Sequence, residues 1–288
     1  MRKGVAHVVD LRVFDNISFE SLYERLDSRW NSNHELKKYI HRAKFDKLLS
    51  HLTTGESLLD IGRGGSVDGI LGVLAAKKGL NVTISNVSEK NLKVIQKFAE
   101  IQGVKEQITF VEALPFELPF KDQSFQNVIA LHILEHLPDF KQGLEEIRRV
   151  SQNKAIVALP TCLNFCAISR LGGSHYFEFS WKSPFSLIYG SWRLLYHAVK
   201  GDEGVAEDME EFGRVNKHLW RFPWKMRKSL KEGGFEIVQF GPDAIPLPWF
   251  NAWLPLMRKL DKFSYHPVLK HFGMGSHAVL SKKNQYYE

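Results

Sequence analysis

The chain of 288 residues is 44% apolar and 25% charged, the composition of an ordinary globular protein, and it contains no low-complexity tract or internal repeat. Its length allows one large domain, or a domain with a substantial subdomain. Lys and Arg exceed Asp and Glu by 21 to 20 in residues 1–150 and by 18 to 12 in residues 151–288. The basic C-terminal half suits anionic lipid head groups, a phosphorylated substrate or nucleic acid, and the alternative is a solvated surface with no partner.

The two cysteines and the termini indicate a compartment. Cys162 and Cys166 are four residues apart, and the sequence has no Cys-x-x-Cys pair, which argues against a disulfide framework or a zinc site. The apolar run after Met1 is too short for a signal peptide, and no window of about 18 apolar residues could span a bilayer. We therefore expect a cytoplasmic protein that binds no metal.

Residues 1–55 are expected to form an N-terminal helical cap. Aromatic residues, Tyr23 and Trp30 among them, are interspersed with charges up to residue 35. A helix is predicted from about Glu35 to Leu52, because Leu36, Ile40, Ala43 and Leu48 fall on one helical face.

Residues 56–87 form the most informative stretch. Ser57–Ile61 is a short apolar run, a glycine-dense turn follows from Gly62 to Gly69, apolar residues then recur at helical spacing, and Val82–Ile84 is a second apolar run. The pattern predicts strand, turn, helix and strand. Glycines let the backbone approach a ligand closely, and the first N–H groups of the following helix are free to bind it. The stretch therefore indicates a nucleotide-type cofactor.

Two common phosphate-binding motifs are excluded. A phosphate loop needs Lys followed by Ser or Thr after its last glycine, where this chain has Ile70-Leu71. A dinucleotide fingerprint counted from Gly62 needs glycine where Val67 stands.

Strands and helices continue to alternate through residue 160. A helix is predicted over about 89–102 with Ser88 at its N-cap, strands at 108–111, 125–131 and 155–159, and a helix over 138–150. Residues 56–160 therefore form the core of an α/β protein with a doubly wound, mostly parallel sheet. Ligands of such sheets bind at the carboxyl ends of the strands, where His132, Glu135 and His136 follow the fourth strand. An imidazole there is suited to proton transfer, with a capping or surface role as the alternative.

Residues 161–223 interrupt the pattern as an insertion. His175–Trp181 is dense in aromatic residues, residues 185–196 fit an amphipathic helix, and residues 201–211 are expected to form an acidic loop. Such aromatic surface suits a cover over a bulky apolar substrate, and packing within a subdomain explains it equally well.

The sheet is expected to resume in residues 224–288. A helix at 226–231 and strands at 235–240 and 276–280 close the core, and residues 243–272 form an insert between these strands. Within the insert, tryptophans and aliphatic residues lie beside Arg258, Lys259 and Lys262. That composition suits an interfacial segment on an anionic bilayer, and a dimer contact or an internal lid is the alternative.

The acid two residues before the first glycine, in Asp60-x-Gly62-x-Gly64, resembles motif I of the class I S-adenosylmethionine-dependent methyltransferases, including those of quinone-biosynthesis type. The stretches Leu114-Pro115-Phe116, Ser124-Phe125, 131–137 and 144–150 resemble later segments of that family in the same order. The resemblance covers roughly residues 56–160 and implies a seven-stranded, Rossmann-like fold with S-adenosylmethionine as cofactor and no metal.

The resemblance also implies a set of site residues. Gly62 and Gly64 would face the methionine end of the cofactor, and Asp60 would order the loop. His132 and His136 are the candidate catalytic residues. The candidate cofactor-binding residues are Asp60, Gly62, Arg63, Gly64, Ser66, Asn86, Val87, Leu114 and Leu131. The N-terminal helices of the family close over the cofactor and substrate, so Tyr23 and Trp30 are candidate substrate residues. The aromatic stretch of the insertion adds His175, Tyr176 and Trp181 as candidates.

Several positions depart from the family pattern. Family members usually carry glycine where Ser66 stands, acids where Asn86 and Leu114 stand, and Asp where Gln126 stands. Asn86 can still hydrogen-bond a hydroxyl, whereas Leu114 cannot accept from an amine. Each lost charge-assisted bond costs about 1.5–3 kcal/mol.

Three functions follow from these observations. The first is methyl transfer to a hydroxyl or carbon of a lipophilic or lipid-linked small molecule by a cytoplasmic, peripherally membrane-bound enzyme, with homo-oligomerisation open. The second is a methyltransferase-like binding or scaffold protein without catalysis, because of Asn86, Leu114 and Gln126. The third is an RNA methyltransferase, suggested only by the basic C-terminal half, since no Asn-Pro-Pro-Tyr or Asp-Pro-Pro-Tyr tetrapeptide follows strand four.

Overall fold

The computed structural model describes residues 16–63, 68–137, 139–211 and 214–282. They fold into two compact units. Unit 1 consists of the described residues up to Leu26 together with Leu52–Ala155, and unit 2 consists of Asp27–His51 and the described residues from Ile156 onwards.

Strands and helices alternate through most of the chain. The strands are β1 (Ser57–Ile61), β2 (Asn81–Asn86), β3 (Ile108–Glu112), β4 (Phe125–Leu131), β5 (Ser151–Leu159), β6 (Gly204–Glu211), β7 (Arg214–Arg221), β8 (Phe235–Pro242) and β9 (Ser276–Lys282). The α-helices are α1 (Phe19–Trp30), α2 (Glu35–Leu49), α3 (Ile70–Lys77), α4 (Glu89–Ile101), α5 (Phe140–Val150), α6 (Phe165–Leu171), α7 (Ser183–Lys200), α8 (Pro223–Glu232) and α9 (Leu254–Lys262).

In the described part of the chain, seven strands form one sheet in the order β3-β2-β1-β4-β5-β9-β8, and β6 and β7 form a separate hairpin. β1 pairs in parallel with β2 and β4, and β2 with β3, whereas β8 and β9 pair antiparallel. The prediction of an α/β fold with a seven-stranded, mostly parallel sheet is confirmed.

The core of unit 1 lies around its central strands. Leu58 and Leu59 of β1 and Val128 and Ile129 of β4 are inaccessible to solvent, as expected of parallel strands covered on both faces. Leu92, Ile95 and Ala99 of α4 are buried, which confirms the inward face predicted from their helical spacing. Ser88 occupies the N-cap of α4 as predicted, but its hydroxyl makes no capping hydrogen bond.

Unit 2 contains two clusters of buried apolar side chains. One lies among α6, α7 and the β6–β7 hairpin, and includes Cys162, Leu194, Val205, Trp220 and Phe222. The other joins α2 to the segment around α9 through Leu36, Tyr39, Ala244, Leu254 and Met257. Each cluster covers one face of the helices that form it.

The prediction of an acidic loop over residues 201–211 is wrong. Residues 204–211 form β6, which pairs antiparallel with β7. Val205 is buried in the unit 2 core, and the carboxylate of Glu207 accepts from Trp220 Nε1 at 3.0 Å and pairs with Arg170 Nε at 2.7 Å. The acidic composition suggested a loop. Glu207 is compatible with a strand because Trp220 and Arg170, which are distant in the sequence, bind its carboxylate. Elsewhere the predicted elements exist, and some of them differ in their ends: β5 begins at Ser151, and α7 extends from Ser183 to Lys200.

Candidate functional site

Three strands of unit 1 end side by side. Ile61 of β1 pairs with Ser85 of β2 on one side and with Ala130 of β4 on the other. The residues that follow in the three strands, Gly62, Asn86 and Leu131, therefore lie at one carboxyl edge of the sheet. This is the edge at which open α/β sheets bind their ligands.

Asp60 orders the start of the glycine turn by capping the helix that follows it. Its carboxylate is buried and accepts a hydrogen bond of 2.7 Å from the backbone N–H of Gly72, in the first turn of α3. The N-cap residue of α3, Gly69, has a left-handed backbone (φ 89°) and no side chain to cap the helix. A carboxylate at a helix N-terminus is favourable because the free N–H groups there carry partial positive charge.

A second carboxylate closes the described part of the turn. The backbone N–H of Arg63 donates to Asp68 Oδ2 at 2.9 Å, so the two ends of the turn are tied together. Gly64 and Ser66 lie outside the described residues, and their predicted contacts with the cofactor stay predictions.

Gly62 packs directly against the end of β2. A Cβ atom at Gly62 would overlap Asn86 Nδ2 and would lie 2.9 Å from the Cβ of Asp68. Asn86 and Val87 are both buried, and Asn86 Oδ1 accepts from the backbone N–H of Ser88 at 3.2 Å. Only glycine therefore fits at position 62, which agrees with the close backbone approach expected from the sequence.

Leu114 lies beyond the end of β3, beside the same edge. The neighbouring Ala113 N–H donates to the Asn86 carbonyl oxygen at 2.9 Å, and Leu114 forms an isolated bridge with Glu117. The geometry thus brings Asn86 and the segment of Leu114 together, as the motif order predicted.

The end of β4 carries the two candidate catalytic histidines. His132 directly follows Leu131 and has a left-handed backbone with φ 56°, an uncommon conformation for a residue with a Cβ. The Glu135 side chain is fully buried, and its Oε1 lies 3.7 Å from His132 Nδ1 and 3.6 Å from His136 Nε2. Both imidazoles therefore lie next to one buried carboxylate.

Backbone strain like that at His132 tends to occur where a side chain must point in a required direction.

Among the described residues, no group of three His, Cys, Asp or Glu side chains has the arrangement of a metal site.

The predicted substrate residues are divided between the units. Tyr23 belongs to unit 1, is half-buried and stacks on Phe19 with 6.1 Å between ring centroids. Trp30 belongs to unit 2, where the Arg42 guanidinium lies 4.1 Å from the centre of its ring and Phe45 packs at 6.1 Å. Trp30 thus has a packing role within unit 2, and its role toward a substrate stays a prediction.

The aromatic stretch of unit 2 folds on itself. The rings of His175 and Tyr176 lie 5.5 Å apart, and the carbonyl oxygen of His175 accepts from Trp249 Nε1 at 3.1 Å. Burial raises the pKa of the Tyr176 hydroxyl above its usual range. Trp181 is 74% exposed.

The sequence analysis did not assign three polar residues of unit 1 to the site. Asp68 closes the turn, Ser88 donates its backbone N–H to Asn86 Oδ1, and Asn91 lies in the first turn of α4. Ser88 Oγ and both polar atoms of the Asn91 side chain are buried and have no hydrogen-bond partner within the described part of the chain. Buried polar groups are almost always satisfied, so these atoms are candidates for contact with a ligand. The sequence explained Ser88 as a helix N-cap. It gave Asn91 no role because the helical spacing marks only the apolar core residues of α4.

Comparisons with known proteins match the same part of the chain. Residues 59–159 match the family model described as a methyltransferase domain. Methyltransferase GfsG of Streptomyces halstedii is 30% identical over 131 residues, which are 46% of this chain and 38% of that protein. The ubiquinone/menaquinone biosynthesis C-methyltransferase UbiE of Rickettsia felis is 26% identical over 225 residues, which are 76% of this chain and 85% of that protein.

A solved structure confirms the architecture. Magnesium protoporphyrin IX methyltransferase (ChlM) of Synechocystis PCC 6803, crystallised with bound SAH, superposes with a TM-score of 0.53 at 17% identity over 94% of this chain and 97% of that chain. Residues 59–159 are a methyltransferase domain of the class I, S-adenosylmethionine-dependent type. The cofactor of this methyltransferase is S-adenosylmethionine, as predicted.

The described residues of the methyltransferase fit that cofactor, with one weakness. Gly62 leaves no room for a side chain against Asn86, and Ser88 and Asn91 offer buried polar atoms for a ligand's hydroxyl groups. The neutral Asn86 and Leu114 provide no carboxylate at this edge, so each bond that an acid would make there is weaker or missing. The described residues thus leave room for the cofactor's backbone contacts at Gly62, and neither Asn86 nor Leu114 adds a negative charge.

Proposed function

We propose that the protein transfers a methyl group from S-adenosylmethionine to an oxygen or carbon atom of a lipophilic or lipid-linked small molecule. The observation that carries this proposal is the carboxyl edge where Gly62, Asn86 and Leu131 meet, with the Asp60 cap behind it. The likeness to UbiE, named for ubiquinone and menaquinone biosynthesis and covered over 85% of its length, supports a lipophilic acceptor.

The cofactor supplies a methyl group on a positively charged sulfur, and the residues of unit 1 hold it. Asp60 and Asp68 fix the turn on which Gly62 and Arg63 lie. Asn86 and Ser88 present polar atoms for the ribose hydroxyls, with Asn91 beside them. Val87, Leu114 and Leu131 supply the apolar contacts. Catalysis then depends mainly on alignment and on exclusion of water.

His132 acts as the general base in this proposal. It follows β4 at the same edge as Gly62, and its left-handed backbone fixes the direction in which the imidazole leaves the strand. The buried Glu135 carboxylate lies 3.7 Å from His132 Nδ1, beside the ring that takes the acceptor's proton in this proposal. His136 Nε2 lies 3.6 Å from the same carboxylate, and His136 is the second candidate for the general base.

A lipophilic acceptor resides in a membrane, so the enzyme must contact the membrane to reach it. We infer peripheral contact with an anionic membrane for the segment around α9, because Phe250, Trp253 and Leu256 are exposed there beside basic residues. Ala244, Leu254 and Met257 of the same segment are buried in unit 2, so only one side of it is available. Within the described ranges, no helix combines the length and hydropathy needed to cross a bilayer.

Titration calorimetry with S-adenosylhomocysteine, the demethylated product, tests the cofactor site directly. Wild type should bind, and Gly62→Ala should not, because its Cβ would displace Asn86. Gly55→Ala is the control for destabilisation without a clash: at φ 86° alanine is strained, but nothing lies within 4 Å of its Cβ, so it should still bind. Absence of wild-type binding at millimolar ligand would refute the proposal and favour the non-catalytic scaffold.

The acceptor is tested separately. Incubation with methyl-labelled S-adenosylmethionine and a panel of quinols, sterols and lipid-linked phenols, followed by organic extraction, should move label into the organic phase. Label that moves only into water-soluble acceptors would overturn the lipophilic assignment and leave the methyltransferase activity in place.

A further inference from the structure

Helix α7 of unit 2 places its large apolar residues outward. Seven of them recur at spacings of three and four residues and are between 50% and 81% exposed. They are Phe185, Ile188, Tyr189, Trp192, Leu195, Tyr196 and Val199, which we call the α7 face. The spacing confines them to one side of the helix. Tyr189, Trp192 and Tyr196 stack along that side, with centroids 6.0 and 5.7 Å apart.

The opposite side of α7 is made of small residues and is buried. Ser183, Ser186 and Gly190 face inward together with Leu194. A Cβ at Gly190 would overlap the carbonyl oxygen of Ile168, so the backbones of α6 and α7 are in contact. A helix in water normally buries its large apolar residues and exposes polar ones. Small residues between helices, with large ones outside, are typical of helices that contact lipid.

Charge identifies the occupant of this face. From Phe179 to Gly201 the sequence has no Asp or Glu, and Lys182 and Lys200 stand at the two ends of the helix. Lys182 lies 5.5 Å from the Trp181 ring, and Lys200 lies 6.0 Å from the Tyr196 ring, with Asp202 3.8 Å from its ammonium group. Aromatic residues flanked by lysines suit the interface between acyl chains and anionic head groups.

The surface continues toward α9. Phe179, just before α7, packs against Trp249 and Phe250 at 5.5 and 5.7 Å. Beyond Phe250 lie the exposed Arg258, Lys259 and Lys262. The only acid from residue 244 to the end of β9 is Asp261, which Lys47 and Tyr39 bind. The α7 face and the exposed side of the α9 segment therefore have the same composition and charge.

A second copy of the chain fits the α7 face poorly. A single helix of about 27 Å offers two copies only a narrow helix-on-helix contact. An antiparallel pair would also bring Lys182 of one copy to the Lys200 end of the other. We propose that the α7 face docks on an anionic lipid surface, lying in the interface plane with its rings among the head groups and upper acyl chains.

The test is vesicle flotation with the full chain, without donor or acceptor, using phosphatidylcholine vesicles with and without phosphatidylglycerol. Wild type should bind the anionic vesicles at millimolar lipid, and W192Q/Y196Q should bind them at least tenfold more weakly. Ile101 and Val238 are exposed apolar residues outside the face, so I101Q and V238Q are matched controls that should bind like wild type. K182Q/K200Q should lose roughly fivefold per lysine on anionic vesicles only.

Circular dichroism and melting curves establish that the variants are folded. Absence of wild-type binding to anionic vesicles, or equal binding by W192Q/Y196Q, would overturn the proposal. A dimer in sedimentation that W192Q/Y196Q dissolves, without lipid binding, would assign the face to a second copy instead. The purpose of docking rests on the proposed lipophilic acceptor, but vesicle binding and methyl transfer are measured separately, so either can fail alone.

Discussion

At the residue scale, the site combines a fixed backbone with weak charge. Asp60, Gly62 and Asp68 define the turn through backbone hydrogen bonds and close packing, none of which depends on the cofactor's charge. At the neighbouring position the side chain is Asn86, an amide with a single acceptor oxygen, which already accepts from Ser88 N–H. In the proposed site the backbone is therefore fixed, and an amide stands where a carboxylate would bind a hydroxyl more strongly.

Asn86→Asp should strengthen cofactor binding. A carboxylate can accept from Ser88 and from a ribose hydroxyl at once, and the charge-assisted bond is worth about 1.5–3 kcal/mol. We expect at least a tenfold lower Kd for S-adenosylhomocysteine by calorimetry. Asn81→Asp, the same change at the other end of β2, is the control and should leave Kd unchanged. An unchanged Kd in Asn86→Asp would remove Asn86 from the site.

His132→Gln should lower kcat by about 10²–10⁴ if the imidazole is the general base, with the Kd for S-adenosylhomocysteine retained. His132→Gly should lose the same activity without loss of stability. Glycine relieves the left-handed backbone by about 1–2 kcal/mol, which offsets its entropic cost of about 0.5–1 kcal/mol. Full activity in either variant would move the base elsewhere, with His136→Gln as the next variant to measure.

At the element scale, the structure shows which sequence signals suffice. Ser57–Ile61 and Phe125–Leu131 were predicted to the residue because near-continuous apolar runs bounded by turns have few alternatives. Residues 204–211 were missed because the Arg170–Glu207 pair and the Trp220 hydrogen bond are tertiary, and no local pattern reveals a partner far along the chain. Ser88 and Asn91 were missed for a similar reason, since burial without a partner is a property of the fold.

Helix α5 holds the segment before β4 through the side chains of Glu146 and Arg149, and Arg149 also pairs with Asp122 of that segment at 3.0 Å. Glu146 Oε1 accepts from Arg149 Nε at 2.7 Å, and its Oε2 accepts from the backbone N–H of Leu118 at 2.9 Å. Arg149 in turn donates to the carbonyl oxygens of Phe120 and Leu118 at 2.6 and 3.0 Å. The hydrogen bond with Arg149 is the main reason why the pKa of Glu146 lies below its ordinary value of 4.5.

Glu146→Gln should reduce the free energy of unfolding by about 1.5–3 kcal/mol at pH 7. Because the folded pKa is lowered, the carboxylate stabilises the fold above its unfolded pKa of 4.5, and this contribution is lost as pH falls through the folded value. The difference in Tm between wild type and variant should therefore shrink below pH 4.5. Glu145→Gln is the control, since Glu145 is 60% exposed and pairs only loosely with Lys141 at 3.5 Å. Equal melting of wild type and Glu146→Gln at pH 7 would contradict the role of the pair.

At the scale of the whole molecule, the two cysteines report on the folding of unit 2. Cys162 and Cys166 are fully buried, and Cys162 belongs to the cluster that joins α6, α7 and β6. Burial raises the pKa of the Cys162 thiol to about 12 and holds that of Cys166 well above its ordinary value. Only the thiolate reacts with a disulfide reagent. Both thiols should therefore react slowly, because few of them are ionised and the reagent cannot reach them.

Native protein at pH 8 should therefore show almost no reaction with an aromatic disulfide reagent over minutes, and denatured protein should release two equivalents. Val238→Cys, at an exposed position of β8, is the control and should react at once with one equivalent. The slow rate in native protein measures the opening of unit 2, because a thiol must leave its cluster before it ionises and reacts. Rapid reaction of the wild-type thiols would show that the cluster around Cys162 opens readily, and the α7 face would then rest on a mobile rather than a rigid support.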